Sequence, residues 1–159
     1  MSKLYVNEVH SKTGSTKAIE IDSDGRVLTP NRVAFSATRT AGSVTNGNFV
    51  AFDSVDFNIG NAYNSSTGVF TCPVAGIYFV QVQLISGSTV NVEGEVQVNG
   101  TRKFNQRNYH STAGTSNGVS MGGLLDLSVS DEVKVKIIGN SNIFGQNGGY
   151  DVFSMCLMG

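Results

Sequence analysis

Apolar residues recur at every second position along most of this chain, and no window of useful length repeats them at helical spacing. The strongest run is Ile77-Tyr78-Phe79-Val80-Gln81-Val82-Gln83-Leu84-Ile85, whose apolar content marks a central strand. Residues 90–98 alternate strictly and end in Asn99-Gly100, a dipeptide that accepts the positive φ angles of a tight hairpin. Further strands are expected over residues 33–37, 50–52, 55–57, 68–73, 119–127 and 133–138. In residues 150–158, Val152, Cys156 and Met158 face one way and Phe153, Met155 and Leu157 the other, so both faces of the last strand need cover. About eight to ten strands separated by turn signals make an all-β antiparallel sandwich.

Before residue 32 the pattern thins. Leu4, Val6 and Val9 begin a short strand, and a turn over residues 10–15 leads to a second with Ile19 and Ile21. Asp22-Ser23-Asp24-Gly25 is a turn, Val27 and Leu28 form a third short strand, and Pro30 stops it. So few large side chains cannot offset the entropy of ordering the segment alone. Residues 1–31 are therefore expected to be an arm ordered by its own copies or by a partner, with Leu4, Val6, Ile19, Ile21 and Val27 as its docking side chains. Residues 32–159 are expected to fold as an autonomous head.

Composition narrows the function. Of 159 residues, 19 are Gly, 2 are Pro and none is Trp; only 14% are charged, and the net charge is −1. That charge is well below the usual quarter or so and cannot coat a phosphate backbone, so nucleic acid is excluded as a partner. It suits a surface covered by copies of the same chain. No apolar run approaches the roughly 18 residues of a membrane helix, and no membrane insertion is expected. Residues 1–9 are mixed polar, so no secretory signal is expected. Cys72 and Cys156 lie in separate apolar runs and read as reduced core thiols, although a bond between neighbouring strands stays open.

Catalytic chemistry is not recommended by any constellation. His10 and His110 each stand alone, and the Gly122-Gly123 and Gly148-Gly149 pairs precede no helix that would cradle a phosphate. Asp131-Glu132 has donors for calcium at an oligomer interface but reads more simply as a solvated turn; no cofactor is expected. Residues 40–48 and 105–117, rich in Asn, Ser, Thr and Gly and carrying Tyr109 and His110, read as exposed loops suited to sugars, to a neighbouring subunit or to plain solvation.

The run Gly68-Val69-Phe70-Thr71-Cys72-Pro73-Val74-Ala75-Gly76-Ile77-Tyr78-Phe79 resembles the signature Gly-x-Phe-x-Cys-Pro-x-x-Gly-x-Tyr-x-Phe of the complement globular-head family, C1q. Asn58, Gly60 and Tyr63 sit where that family has a related stretch, and Val98-Asn99-Gly100 matches its hairpin. Ser130-Asp131-Glu132-Val133 resembles its Gly-Asp-x-Val segment with Ser130 for Gly, and Phe153-Ser154-Met155-Cys156-Leu157 resembles its closing strand with Met155 for Gly. The resemblance implies a ten-stranded jelly roll related to the tumour-necrosis-factor superfamily, packed as a homotrimer and working by recognition and assembly. It makes Phe70, Tyr78, Phe153, Met155 and Leu157 the candidates for core and trimer interface.

The leader, with Lys3-Leu4-Tyr5-Val6-Asn7-Glu8-Val9 and Gly25-Arg26-Val27, resembles leaders of tail-fibre and other virion proteins of phages. The expectation is a non-enzymatic homotrimeric phage virion protein, at the surface of capsid or tail. Its partners would be itself, other virion proteins, and a host surface glycan or protein. The alternative is a free, lectin-like recognition protein of a bacterium.

Overall fold

The computed structural model describes residues 6–10, 14, 17–40, 42–86, 91–109, 117–139, 142–145 and 150–158. They fall into two compact units, Met1–Arg32 and Val33–Gly159. In the first, β1 (Glu8–His10), β2 (Lys17–Ile21) and β3 (Val27–Leu28) form an antiparallel sheet in that order. Asp22 closes the β2–β3 turn by accepting the backbone N–H of Asp24 and Arg26 at 3.0 and 2.9 Å. Lys17 bridges Glu8 and Glu20 at 2.6 and 3.1 Å. The apolar side chains stay open: Val6, Val9, Ile19, Ile21 and Leu28 are 38–46% exposed and Val27 is 66% exposed. Leu4 and Tyr5 lie outside the described residues.

The second unit holds β4 (Ala34–Thr38), β5 (Gly42–Thr45), β6 (Ser54–Ile59), β7 (Tyr63–Asn64), β8 (Val69–Thr71) and β9 (Gly76–Ser86). It continues with β10 (Val92–Val98), β11 (Thr101–Asn108), β12 (Asn117–Leu127), β13 (Glu132–Ile137), β14 (Asn142–Gly145) and β15 (Val152–Leu157). Two five-stranded antiparallel sheets, β12-β9-β15-β4-β6 and β11-β10-β13-β8-β7, enclose the core, and a β14-β5 ribbon is added. The two sheets are the ten strands of the expected jelly roll. Asn99 and Gly100, at φ 50° and 80°, turn β10 back into β11 as their sequence predicts.

Aromatic rings fill the space between the sheets. Phe35 stacks on Tyr63 at 4.3 Å and meets Phe153 edge-on at 4.9 Å, and Phe70 meets Tyr78 at 5.4 Å. Both buried hydroxyls find backbone partners. Tyr63 accepts the Phe52 N–H at 3.0 Å and donates to the Phe52 carbonyl at 3.1 Å; Tyr78 donates to the Val74 carbonyl at 2.7 Å. Burial pushes the Tyr63 phenol up to about 12 and raises that of Tyr78 as well.

Several expectations need correction. Residues 40–48 are not a plain loop: they contain β5, and Val44 is buried against the core. Residues 105–117 are not one loop either, because β11 runs to Asn108 and β12 starts at the buried Asn117; residues 110–116, with His110, lie outside the described residues. Residues 50–52 form no strand, yet Val50 and Phe52 are fully buried, and the Val50 N–H bonds the Val135 carbonyl at 2.9 Å. Both cysteines are free; Cys72 is a core thiol, but Cys156 sits half-buried on the outer side of β15.

Candidate functional site

Strand register assembles a surface that no single segment of the chain displays. Leu124 on β12 lies opposite Phe79 on β9, Phe79 opposite Cys156 on β15, Cys156 opposite Ala34 on β4, and Ala34 opposite Ile59 on β6. This row crosses all five strands on the outer face of the sheet and carries no polar side chain other than a thiol. The next row, Gly122, Gln81, Ser154, Ser36 and Phe57, is small and uncharged apart from its aromatic end. On the other side of the first row, Ile77 pairs with Asp126, and its carbonyl accepts the Met158 N–H at 2.8 Å.

The exposure of this face is large for apolar groups: Leu124 is 61% exposed, Phe57 47% and Phe79 39%. Between Phe57 and Phe79 lies a depression of about 290 Å³, floored by Ala34, Ser36, Ser154 and Cys156. Its polar groups are satisfied: Gln81 donates to Ser120 at 2.7 Å, Ser154 to Ser36 at 3.1 Å and Ser36 to the Asp56 carboxylate at 3.1 Å. The three central strands, β9, β15 and β4, contain no charged residue at all. Gly122 keeps the face flat, since a Cβ there would stand 2.6 Å from the Val80 carbonyl oxygen.

The outer face of the opposite sheet has the reverse character. Glu93 is paired with Arg107 at 2.6 Å, Glu95 with Arg102, and Glu132 with Lys134 at 2.8 Å. The Arg107 guanidinium holds the Glu93 carboxyl below its ordinary range. One sheet thus has an outer surface that is largely apolar, with carboxylates only on its flanking strands at Asp56 and Asp126, and the other a surface rich in charge.

The residues singled out in the sequence divide accordingly. Phe70, Tyr78, Phe153 and Met155 are at most 2% exposed and Leu157 packs against the same core, so they are core side chains pointing away from this apolar outer face. The apolar outer face is instead formed by Phe57 and Ile59 of β6, Ile77 and Phe79 of β9 and Leu124 of β12. Asp131 accepts the Ser128 N–H at 2.8 Å and the Asn99 amide at 2.7 Å, which hold its carboxyl low; with Glu132 on Lys134, the donors offered for calcium serve the turn. His10 contacts Glu8 at 2.8 Å in the arm.

The C1q domain profile matches residues 34–158. The chain is 30% identical over 131 residues to complement C1q tumor necrosis factor-related protein 3 of Mus musculus, covering 80% of this chain and 51% of that protein. The Homo sapiens protein of the same name is also 30% identical over 131 residues, covering 80% and 51%. The chain therefore spans about half the length of these curated relatives. The globular domain of zebrafish complement 1qA protein superposes with a TM-score of 0.68 at 18% identity, over 80% of this chain and 98% of that one. The Eiger TNF of S. frugiperda does so with 0.68 at 11%, over 81% and 94%. C1q and TNF domains form homotrimers and are generally non-enzymatic. With the profile spanning nearly the whole of the jelly roll and its two five-stranded sheets, the chain belongs to the C1q domain family.

Proposed function

We propose that this chain is a non-enzymatic homotrimeric virion protein of a phage, displaying the jelly-roll head outward as a tail appendage or capsid decoration, with residues 1–31 as the docking arm. The observation that carries assembly is the apolar row Leu124, Phe79, Cys156, Ala34 and Ile59 on a sheet whose central strands hold no charge. Burying such a row in a threefold contact removes apolar surface from water at about 25 cal/mol per Å², and the carboxylates of this face, Asp56 and Asp126, stand on the flanking strands β6 and β12 rather than in the row. The arm supports docking because its small sheet leaves Val6, Ile19, Ile21 and Val27 exposed, the state expected of a segment that pairs with other chains. The leader's resemblance to virion proteins selects a particle as the place where those chains are found.

Two measurements test this separately. Sedimentation velocity at micromolar concentration is expected to give three times the chain mass, and a monomer overturns the assembly reading. Proteomics of purified particles from a phage encoding the chain is expected to find it at a copy number divisible by three; its absence from them overturns the virion placement.

A further inference from the structure

We infer that the outer face of the β11-β10-β13-β8-β7 sheet binds an acidic polysaccharide, with its sugar rings against Phe49 and its anionic groups on Lys136 and the neighbouring guanidinium groups. This rests on the reading of an outward-displayed head and names the ligand class that head would take.

The first support is a burial asymmetry. The Glu93 and Glu95 side chains are each 4% exposed, whereas Arg107 and Arg102 above them are 45% and 56% exposed. The ion pairs balance in number, but the acids lie beneath and the bases on top. A ligand approaching this face meets guanidinium groups, which keep donors free for carboxylate or sulfate oxygens.

The second support is an aromatic platform set among cations. Phe49 runs alongside β13 through a bridge to Lys136, and its ring is 44% exposed. The Lys134 and Lys136 ammonium groups stand 5.6 and 5.5 Å from the ring centroid. Glu132 neutralises Lys134, whereas Lys136 has no ion-pair partner among the described residues. Beside the ring lies a groove of about 420 Å³ lined by Phe49, Asn64, Thr67, Val69, Thr71 and Lys134, with the Glu132 carboxylate, held by Lys134, at its wall. That volume is within the range of small-ligand sites, about 300–1,000 Å³. An exposed ring presents an apolar face to the C–H groups of a sugar, and the amide and hydroxyls answer its hydroxyls. From β11 to the Phe49 segment the face is three strand spacings wide, about 14 Å, enough for a short run of sugars. Its position on the sheet opposite the assembly face leaves it open when copies associate, so each assembled particle presents several such faces.

The test uses the full-length chain and measures binding to immobilised polygalacturonate and dextran sulfate, with neutral dextran and polyglutamate as comparators. Expected is salt-sensitive binding to at least one acidic polysaccharide and none to dextran. Lys136→Gln is expected to weaken binding at least tenfold. Phe49→Ala and the better-packed Phe49→Leu are both expected to weaken polysaccharide binding and to leave any polyglutamate binding unchanged. The arginines are left intact, because removing one would orphan a buried carboxylate. No binding to either acidic polysaccharide at low salt overturns the inference, as does unchanged binding by K136Q. Equal affinity for polyglutamate, insensitive to F49A, also overturns it and points to an acidic protein. Sedimentation of the same samples separates the readings: a monomer that binds polygalacturonate refutes the trimer and keeps the site, and a trimer that binds nothing does the opposite.

Discussion

Asp151 accepts the backbone N–H of Ile85 at 2.7 Å through Oδ1, fastening the entry of the last strand to the far end of β9. The carboxyl is 1% exposed, and its Oδ2 has no partner among the described residues. Burial pushes it up to about 6, against the pull of Arg39. The folded state therefore holds this proton more tightly than the unfolded chain, whose value is near 3.8. Its contribution is fully present below about pH 4 and is lost as pH rises through about 6, a loss on the order of 2–3 kcal/mol. Asp151→Asn keeps an acceptor for Ile85 and is expected to flatten the stability profile between pH 4 and 6, as urea denaturation at a series of pH values would show. An unchanged slope in that variant would assign the titration to another group.

Core and assembly face should respond differently to the same substitution. Met155→Asp places a charge among the aromatic rings between the sheets and is expected to unfold the subunit. Phe79→Asp places it on the outer face and is expected to leave a folded monomer. Circular dichroism with sedimentation distinguishes them; a trimeric F79D protein would move the interface elsewhere.

The aromatic core has a predictable scale. Phe70→Ala is expected to cost about 3–5 kcal/mol in reversible denaturation. Tyr63→Phe removes a hydroxyl that serves both the N–H and the carbonyl of Phe52, and leaving those buried groups unmade is expected to cost about 1–3 kcal/mol.

Deleting residues 1–31 is expected to leave a folded trimeric head that no longer enters particles. Gel filtration of the truncated chain and its copy number in purified virions check the two halves of that statement.

Alternation at period two made the antiparallel sandwich legible, and the Asn99-Gly100 hairpin was readable from two residues. Strand β11 was not, because Thr101–Asn108 holds one large apolar side chain, Phe104, and its remaining residues serve an edge strand that roofs Glu93 and Glu95. Val50 and Phe52 are core without being strand, their backbone tied to β13 and to Tyr63, which no local pattern encodes. Periodicity also does not say which phase of a doubly apolar strand faces inward. That is why Phe153, Met155 and Leu157 stood as interface candidates, while Phe57, Phe79 and Leu124 become one surface only through the register of five distant strands.

The missing charge on β9, β15 and β4 also bears on how fast copies find one another. The carboxylates of this face, Asp56 and Asp126 on the flanking strands, are of one sign, so identical copies bring no complementary fields to the contact, and encounter is unsteered at about 10⁵–10⁶ M⁻¹s⁻¹. Its rate should barely change between dilute buffer and concentrated brine, since there is little for counterions to screen. Subunits joined in this way would assemble at the same pace in a salty medium as in a fresh one, and only the sugar-facing side of the head would register the difference.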